Sequence, residues 1–595
     1  MKIKIIITLT LAIVFILTSC SKITYNNSND ETLSGTSNVS NTNESNFDVD
    51  ISVDDIVETS NDIIKDGVQD GSIVLSDNGI TAGDGVLVDG KVATIKDAGV
   101  YTISGAMSDG QIVVYVDKEE SVELILNGVN LTCLTNTAIY GVSSDKIIIT
   151  IADGTENTIS DGSSYTEIND DDSNAAIYSK DDITIKGKGK LIVFGNYNNG
   201  ISSTNDIKII GGMITVNSKN TALRGKDSVK IGEGCNLTIN SGGDAIKSSN
   251  DTEEGKGVII ITGGVITVTS GEDGIEAVNE ITITSGDLNL TTDSGKTLTE
   301  STGYKGIKCD SSIIIAGGTF NITSNDDAIN CGGDLEILGG VITISADDDG
   351  IHSDSTVKIS GGKTTIAKSY EGLEGNEVEI SGGEIRITSS DDGINTAGGT
   401  DTMGNDRPGK GGFSQGGNSN LTISGGLIAI NAAGDGIDIN GTVNMSSGTL
   451  LICGPTDNGN GPLDYNGDFK MTGGFLIAAG SSGMAQGIGT NSSQYGLLAG
   501  FDPQSANTIF RVEDSDCNDV VTFAPCKQYS SVAICSPSLK KGETYTILFG
   551  GRSTGALSDW LYTGGSYSGG TEYTTITVSS ILTTSGNVGD KGGKR

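Results

Sequence analysis

The feature that most limits the fold of this chain is a short repeat that recurs through its central part. Each unit contains an alternating strand, a Gly turn and a second alternating strand, as residues 357–362 (Val-Lys-Ile-Ser-Gly-Gly) and 378–383 (Val-Glu-Ile-Ser-Gly-Gly) show. Each unit ends in Asp-Gly-Ile or a close variant, and the closing aliphatic residues are Ile139, Ile177, Ile201, Leu223, Ile246, Ile275, Ile307, Ile329, Ile351, Leu373, Ile394, Ile437 and Leu463. Such a continuous period indicates one elongated repeat domain.

The spacing of the repeat selects the fold class. Between Ile307 and Ile394 the closing residues are 22 or 21 positions apart. Such a unit is too short for a propeller blade and lacks the apolar signature of leucine-rich repeats. The repeat therefore predicts an all-β, right-handed parallel β-helix with β caps at both ends, because parallel crossovers are almost always right-handed. Coils stacked ~4.8 Å apart would form a rod of roughly 60 Å.

The two ends of the chain differ in composition from the repeats. Residues 1–20 contain a short basic start, an apolar run and the ending Leu-Thr-Ser-Cys, which resembles a bacterial lipobox and predicts a lipoprotein signal peptide with lipidation of Cys20. An ordinary signal peptide with an incidental Cys is the alternative. We expect a disordered tether over 21–70, an N-terminal β cap over 71–132, the parallel β-helix over 133–485, and a C-terminal β cap and tail over 486–595. This order predicts an exported protein that is lipid-anchored at the bacterial cell surface.

Charge and cysteine content exclude several classes of function. The chain has 76 acidic and 37 basic residues, and the resulting charge of −39 disfavours binding to nucleic acid or directly to a membrane surface. Eight cysteines remain besides Cys20, too few for a disulfide-built scaffold of this size. Cys309 and Cys331 are one repeat apart, so a disulfide and a buried thiol stack are both open. We expect a monomer.

Acidic residues recur at two fixed positions of the repeat. The position two residues before the closing aliphatic residue, which we call the acidic column from 244 to 435, is mostly Asp or Glu, and the position after the aliphatic residue adds further carboxylates. Stacked carboxylates repel each other and favour a cation, and an all-oxygen ligand set favours Ca²⁺. The candidate ligands are Asp244, Asp273, Glu276, Asp327, Asp349, Glu371, Glu374, Asp392, Asp435 and Asp438.

The acidic positions also have a simpler interpretation. Asp-Gly is a common turn pair, so any one Asp can serve only its corner. Lys305 stands within the acidic column and can act as an internal counter-charge. His352, the one His of the chain, is expected on the solvated wall instead of at a metal.

These motifs together resemble a known family. The Ser-Gly-Gly turns, the Asp-[Ala/Gly]-Ile corners, the loop 407–413 (Arg-Pro-Gly-Lys-Gly-Gly-Phe) and the opening segment 99–130 are similar to the bacterial cell-surface family of carbohydrate-binding domain-containing proteins. The resemblance extends from about residue 80 to about residue 555. It implies a right-handed parallel β-helix with bound calcium, similar in shape to polysaccharide lyases, that binds cellulose and pectic polygalacturonate.

The residues favour an acidic ligand over cellulose. Trp560 and its neighbouring tyrosines lie in the terminal region instead of forming a row along the wall, and Ca²⁺ can bridge an anionic glycan to an acidic protein. The predicted function is therefore binding of plant cell-wall polysaccharides, foremost polygalacturonate, without catalysis. The alternatives are a calcium-dependent pectate lyase, with Lys305 or Lys308 as base, and a structural adhesin or spacer.

Overall fold

Alternation of aliphatic and polar residues gives each repeat three short strands with one inward face. Strands of the same position in successive coils pair in parallel, so the described residues form three columns of strands within one sheet, of which they contribute 47 strands. Ile329 pairs with Ile351, and Ile351 pairs with Leu373, in one unbroken register. The protein is thus an all-β solenoid.

The structure is a computed structural model that describes residues 56–64, 69–166, 174–292, 303–396 and 419–589. All of these belong to the second of two units, residues 53–595. The predicted signal peptide with Cys20, most of the tether and the loop 397–418 lie outside the described residues. One 3₁₀ turn, Ser60–Asp62, is the helical element of the described residues, and none of them forms a helix of the length and hydrophobicity needed to cross a bilayer.

The columns are numbered by the order in which a coil passes through them. The first column contains Val92–Ile95, Gln111–Tyr115, Ile139–Ser143, Ala175–Ser179, Asn199–Ser203, Leu223–Gly225, Ile246–Ser248, Ile275–Ala277, Ile307–Cys309, Ile329–Cys331, Ile394–Thr396, Ile437–Ile439 and Asp464–Tyr465. The second column contains Gln69–Ser76, Lys146–Ile151, Asp182–Gly187, Asp206–Ile209, Ser228–Ile231, Val258–Ile261, Glu280–Ile283, Ser312–Ile315, Asp334–Ile337, Asn420–Ile423, Val443–Met445 and Phe469–Met471. The third column contains Glu156–Asp161, Lys190–Gly195, Gly212–Ser218, Cys235–Ser241, Val265–Ser270, Asp287–Thr291, Thr319–Thr323, Val341–Ser345, Lys363–Lys368, Glu384–Ser389, Leu427–Ala432, Thr449–Cys453 and Phe475–Gly480.

Four longer strands pass from one column to the next. Ile351–Ile359 and Leu373–Ile380 connect the first column with the second. Gly99–Met107 and Ser121–Cys133 connect the second column with the third.

The closing aliphatic residues form the predicted interior stack. Each of them is at most 1% exposed, and they belong to one continuous hydrophobic core. The Gly pairs at the turns are explained by close packing between coils. Gly362 has a φ of 78°, which favours glycine, and a Cβ on Gly361 would lie 2.3 Å from the carbonyl oxygen of Leu338 in the preceding coil.

The parallel region begins earlier than the repeat indicates. Gly99–Met107 and Ser121–Cys133 already pair in parallel with strands of the second and third columns, so the boundary predicted at residue 133 lies inside the parallel region. These early coils lack the Asp-Gly-Ile corner, which is why the repeat does not reveal them. Antiparallel partners, Gly79–Ala82 and Val86–Asp89, lie at the N-terminal end of this region.

Antiparallel strands end the solenoid at the other side. Tyr529–Cys535 pairs antiparallel with Phe475–Gly480 and with Gly496–Gln504, and Gly496–Gln504 also pairs in parallel with Leu582–Ser585. A separate six-stranded antiparallel sheet contains Phe510–Glu513, Asp519–Phe523, Thr544–Ser553, Ala556–Ser558, Leu561–Thr563 and Tyr567–Thr577. The capping role of both ends and the right-handed sense of the coil stay predictions.

The cysteines one repeat apart form a stack of thiols. Cys309 and Cys331 are register partners on neighbouring strands, both are buried, and both are free. Burial raises the pKa of Cys331 to about 12, so its thiol is protonated at neutral pH.

Replacement of Ile351 by Asp tests the interior stack. We expect a loss of several kcal/mol in the free energy of unfolding, because a charge would be buried among aliphatic side chains without a partner. Thr343→Asp, on the exposed face of the third column, is the matched control and should change stability by no more than about 0.5 kcal/mol. Equal melting temperatures of the two variants would show that Ile351 is not interior.

Candidate functional site

The acidic column is built at the corner that leads into the first column of strands. The corner backbones of successive coils are hydrogen-bonded in register: the Gly350 N–H donates to the carbonyl of Glu371, and the Gly372 N–H donates to the carbonyl of Asp392. Side chains at equivalent corners therefore stack along the solenoid, as the repeat predicts.

The Asp carboxylates of the column divide their two oxygens between two tasks. One oxygen accepts a hydrogen bond from a backbone N–H of the next coil at 2.5–3.2 Å. The acceptor and donor residues of these bonds are Asp244 and Asp273, Asp273 and Lys305, Asp327 and Asp349, Asp349 and Glu371, Asp392 and Asp435, and Asp435 and Gly461. In the first four the other oxygen faces a cationic side chain. Turn formation and cation binding are thus compatible tasks of one carboxylate instead of alternatives.

Two lysines compensate the carboxylates at the N-terminal end of the column. Lys247 Nζ lies 2.8 Å from Asp244 Oδ2 and also contacts Glu276. Lys308 Nζ lies 3.2 Å from Glu276 Oε1 and 3.5 Å from Asp273 Oδ2. The three predicted ligands are brought together, with one ligand atom of each within 4.8 Å of the others, but they surround ammonium groups.

Lys305 acts as the expected internal counter-charge. Its Nζ lies 2.7 Å from Asp327 Oδ2 and 3.1 Å from Asp326 Oδ2. Asp326 and Asp348 form a group with Asp327, with ligand atoms within 4.8 Å of one another. The column position does not predict these two neighbours, although the Asp-rich runs at 326–327 and 347–349 are visible in the sequence.

The expectation that His352 lies on the solvated wall is wrong. Its side chain is buried, with Nδ1 at 2.8 Å from Glu374 Oε2 and 3.5 Å from Asp349 Oδ2, and Nε2 at 3.2 Å from Asp354 Oδ1. Burial alone would lower the pKa of His352, but the hydrogen bonds with Asp349 and Glu374 outweigh it and raise the pKa to about 12. Stacked carboxylates on both sides explain why this His is an internal cation.

Asp392, Asp435 and Asp438 differ from the other groups. One oxygen of each lies within 4.8 Å of the others, yet neither Asp392 nor Asp435 has an ion pair with a cationic side chain of the described residues. Burial, followed by repulsion from Asp435, raises the pKa of Asp392 to about 8. Burial is the main cause that raises the pKa of Asp435 to about 7, and the negative charge of Asp464 raises it further. We call these three residues the carboxylate trio.

Glu371 lies between the His352 network and the trio. It accepts a hydrogen bond of 2.6 Å from the Asn395 side chain. Burial and then the charges of Glu374 and Asp392 raise its pKa well above the usual value. It belongs to none of the close ligand groups found among the described residues.

The two lysines considered as a lyase base are engaged in ion pairs. Lys305 contacts Asp326 and Asp327, and its side chain is only 12% exposed. Burial alone would lower the pKa of Lys308, but the charges of Asp273 and Glu276 outweigh it and raise the pKa. A base must be neutral to take a proton, so this environment opposes that role for Lys308.

The terminal aromatic residues serve packing. Trp560 lies half-buried against the hydrophobic core of the C-terminal sheet. The rings of Phe549 and Tyr573 pack with their centroids 5.3 Å apart. Trp560 and Tyr573 therefore take part in the packing of the C-terminal sheet, and their exclusion as a sugar platform stays a prediction.

The charge state of His352 is open to a direct test. The ring ¹³C signals of the single His should not shift between pH 5 and pH 9, a range that includes the pKa of an unperturbed His, about 6.5. The folded pKa exceeds the unfolded one, so the stability that His352 contributes is complete below the unfolded pKa and is lost only as pH rises towards about 12. A titration near the unperturbed value would contradict the ion-pair network.

His352→Gln should be strongly destabilising, by about 3 kcal/mol or more, because it leaves buried carboxylates uncompensated.

The chain is similar to several known proteins. Residues 89–350 match the family described as carbohydrate-binding domain-containing protein. A relative of that description from Acetivibrio thermocellus is 39% identical over 210 residues, which cover 35% of this chain and 73% of the relative. A solved structure of the polysaccharide lyase-like protein from C. thermocellum, a gadolinium derivative, aligns with 36% identity and a TM-score of 0.37, covering 45% of this chain and 97% of that chain.

The match to the Acetivibrio thermocellus relative decides the family, because it combines substantial identity with coverage of most of that protein. The matched family region also contains the parallel coils up to residue 350 and the N-terminal half of the acidic column. The chain therefore belongs to the family of carbohydrate-binding domain-containing proteins.

Proposed function

We propose that this chain binds acidic, pectin-like polysaccharides, foremost polygalacturonate, with the help of calcium at the carboxylate trio. The observation that carries the proposal is the contrast along the acidic column. Lysine or histidine compensates Asp244, Asp273, Glu276, Asp327, Asp349 and Glu374. Glu371 is hydrogen-bonded to Asn395, and Asp392 and Asp435 have no ion pair with a lysine or histidine among the described residues. Membership in the family supports a carbohydrate as the ligand class.

The donor set of the trio fits calcium. All three side chains offer carboxylate oxygens, which are the ligands that Ca²⁺ prefers. Their mutual repulsion, expressed in the raised pKa values of Asp392 and Asp435, is what a divalent cation would relieve. The groups around Lys247, Lys305 and His352 already contain a protein cation and do not fit a second one as they stand.

Calcium at the trio would also leave room for a ligand. Ca²⁺ takes roughly six to eight oxygen ligands, so three protein oxygens would leave several positions for water or for a uronate carboxylate. A polar groove of about 370 Å³ lies on the second column of the same coils, lined by Glu377, Glu379, Asn420, Thr422, Thr442 and Asn444. Such hydrogen-bonding side chains suit the hydroxyl groups of a sugar chain that crosses several coils.

We propose binding instead of cleavage. A lyase needs a neutral base beside the cation, and Lys305 and Lys308 are held in ion pairs with carboxylates. Cellulose is the second ligand considered, and the half-buried position of Trp560 does not favour it.

We propose that a lipid anchor holds the protein at the cell surface. Its support is the sequence of residues 1–20, which ends in Leu-Thr-Ser-Cys. Labelled palmitate that is incorporated into the parent but not into Cys20→Ala would support the anchor, and equal labelling of both would exclude it.

The raised pKa of Asp392 predicts how stability depends on pH when calcium is absent. In the presence of a chelator, protonated Asp392 is favoured in the folded state, since its pKa there is about 8 against an ordinary value of 3.8. The folded state then binds more protons than the unfolded chain, so this residue destabilises the protein progressively as pH rises through that interval. Asp392→Asn should be more stable than the parent at pH 8 and equally stable at pH 4, measured by thermal unfolding.

Calcium should reverse the difference in stability between the parent and Asp392→Asn at pH 8. Millimolar Ca²⁺ should raise the melting temperature of the parent at pH 8 and have little effect on Asp392→Asn, because binding to the folded state stabilises it by mass action. Asp287→Asn, an exposed carboxylate of the third column, is the control and should respond to Ca²⁺ like the parent. A parent whose melting temperature is the same in Ca²⁺ and in chelator would remove calcium from the proposal.

A further prediction concerns the glycan. Retention on insoluble polygalacturonate should require Ca²⁺ and should fall with methyl esterification of the ligand, because an ester offers no charge to bridge. The double variant Asp392→Asn/Asp435→Asn should lose most of this retention, whereas Trp560→Ala should retain it. Binding that survives a chelator and disappears with Trp560→Ala would instead indicate an aromatic platform. An unsaturated product absorbing in the ultraviolet would indicate the lyase.

A further inference from the structure

A cluster of lysines lies on the outer face of the second column, on the N-terminal side of the acidic column. Lys208 and Lys230 are register partners in neighbouring coils, and Thr184 precedes them in the same row. Lys146 lies in the adjacent row, opposite Asp182. Stacked ammonium groups repel each other as stacked carboxylates do, so this face favours an anion. It is an unexpected feature in a chain with a net charge of −39.

The anion found there is a carboxylate of the chain itself. Asp62 is fully buried, and its Oδ2 lies 2.7 Å from Lys208 Nζ, while its Oδ1 lies 3.3 Å from Lys146 Nζ. The hydroxyl of Thr184, a buried residue, donates to the same Oδ1 at 3.1 Å. Burial alone would raise the pKa of Asp62, but the hydrogen bonds from Lys208 and Thr59 outweigh it and hold the pKa well below its usual range.

The segment that supplies Asp62 is attached to the wall through a few buried residues and ion pairs. Within residues 56–64, which we call the strap, Ile56 and Asp62 are buried, whereas Val57 and Ile63 are each 54% exposed. Lys186 Nζ lies 2.8 Å from the Asp62 carbonyl oxygen and 2.8 Å from Glu58 Oε1. The described part of the strap pairs with no strand. Ion pairs of Asp62 and Glu58, together with the buried side chain of Ile56, therefore hold the strap on the wall.

The lysine cluster has further space for an anion beside the strap. A cavity of about 180 Å³ is lined by Lys146, Lys208, Lys230 and Thr59, and Lys230 has no ion pair among the described residues. Asp182 and Asp206 also line the cavity. Asp206 accepts a hydrogen bond from the Ser228 hydroxyl at 2.8 Å, and Asp182 accepts one from the backbone N–H of Asp206 at 3.4 Å, so both are engaged within the wall.

We propose that Lys146, Thr184 and Lys208 form a carboxylate-binding site, that Asp62 occupies it as an internal ligand, and that a uronate carboxylate of an acidic glycan replaces Asp62 by displacing the strap. The carboxylate chemistry follows from Asp62 itself, whereas the choice of a glycan as its source rests on the proposed function. This site does not use calcium, and it lies on the second column instead of at the acidic corners.

The site is tested with the mature chain in the presence of a chelator and at low salt. The probe is trigalacturonate, and its binding is measured by calorimetry. Asp62→Asn should bind the probe at least about tenfold more tightly than the parent, the scale of one charge-assisted contact, because the internal competitor is removed. Adding Lys208→Gln to Asp62→Asn should abolish the gain. Asp287→Asn is the matched control, since Asp287 is an exposed carboxylate of the third column that contacts neither the strap nor the site, and it should leave the affinity unchanged.

Three results would overturn the carboxylate-binding site. The first is a folded Asp62→Asn variant with no gain in affinity. The second is an equal gain for cellotriose or for methyl-esterified trigalacturonate, which would exclude carboxylate recognition. The third is a gain that persists after Lys208→Gln. Free galacturonate serves as a further probe, and binding as tight as that of trigalacturonate would overturn the glycan as the ligand source.

Hydrogen exchange of the parent provides a measurement that needs no variant. Saturating trigalacturonate should increase exchange in residues 56–64, and binding without such an increase would show that the strap is not displaced. The variant Asp392→Asn/Asp435→Asn separates the two sites, because it should keep this chelator-resistant exchange response while losing calcium-dependent retention.

Discussion

The in-register hydrogen bonding of successive coils is the constraint on which the rest of this structure depends. It places equivalent residues of neighbouring coils about one strand spacing apart, ~4.8 Å, whatever their chemical nature. Aliphatic residues at such positions stack into a continuous core, as the closing residues do. Charged residues at such positions repel, so a column of carboxylates is stable only where something compensates it.

The protein compensates its acidic column in different ways along its length. Lys247, Lys305 and Lys308 contribute ammonium groups between the coils, and His352 contributes a buried imidazolium. In each of these coils one oxygen of an Asp also holds the backbone of the next corner, so the charge and the turn support each other. Asp392 and Asp435 hold the backbone of the next corner in the same way, but neither has an ion pair with a cationic side chain of the described residues, and the proposed function assigns an external cation to this place.

The same rule explains the lysine cluster of the second column. There the stacked charges are positive, and the compensating group is Asp62, a residue from a segment whose composition predicts a tether. One solenoid thus presents two charged faces of opposite sign, each with its own kind of counter-ion. Under the two proposals, a ligand that contains many carboxylates binds both faces, through a bridging cation at one face and directly at the other.

Local residue patterns determined the class of this fold and the location of its acidic column. A period of 21 or 22 with inward aliphatic residues has few solutions besides a solenoid of parallel strands, because each strand is too short to bury its own face. Equal spacing also places the ten candidate ligands at equivalent corners before any coordinates are known. The early coils before residue 133 escaped detection because they lack the Asp-Gly-Ile corner.

Only the tertiary structure decided which carboxylates are compensated and by what. The pairing of Lys308 with Glu276 and of His352 with Glu374 joins residues from different coils, and its geometry depends on side-chain directions that a repeat pattern does not contain. Asp62 lies 146 residues before Lys208 in the chain, and no periodicity relates the two. The sequence by itself determined the stack, because stacking follows from regular spacing. The compensation of its charges depended on contacts across coils and along the chain, and these exist only in the folded protein.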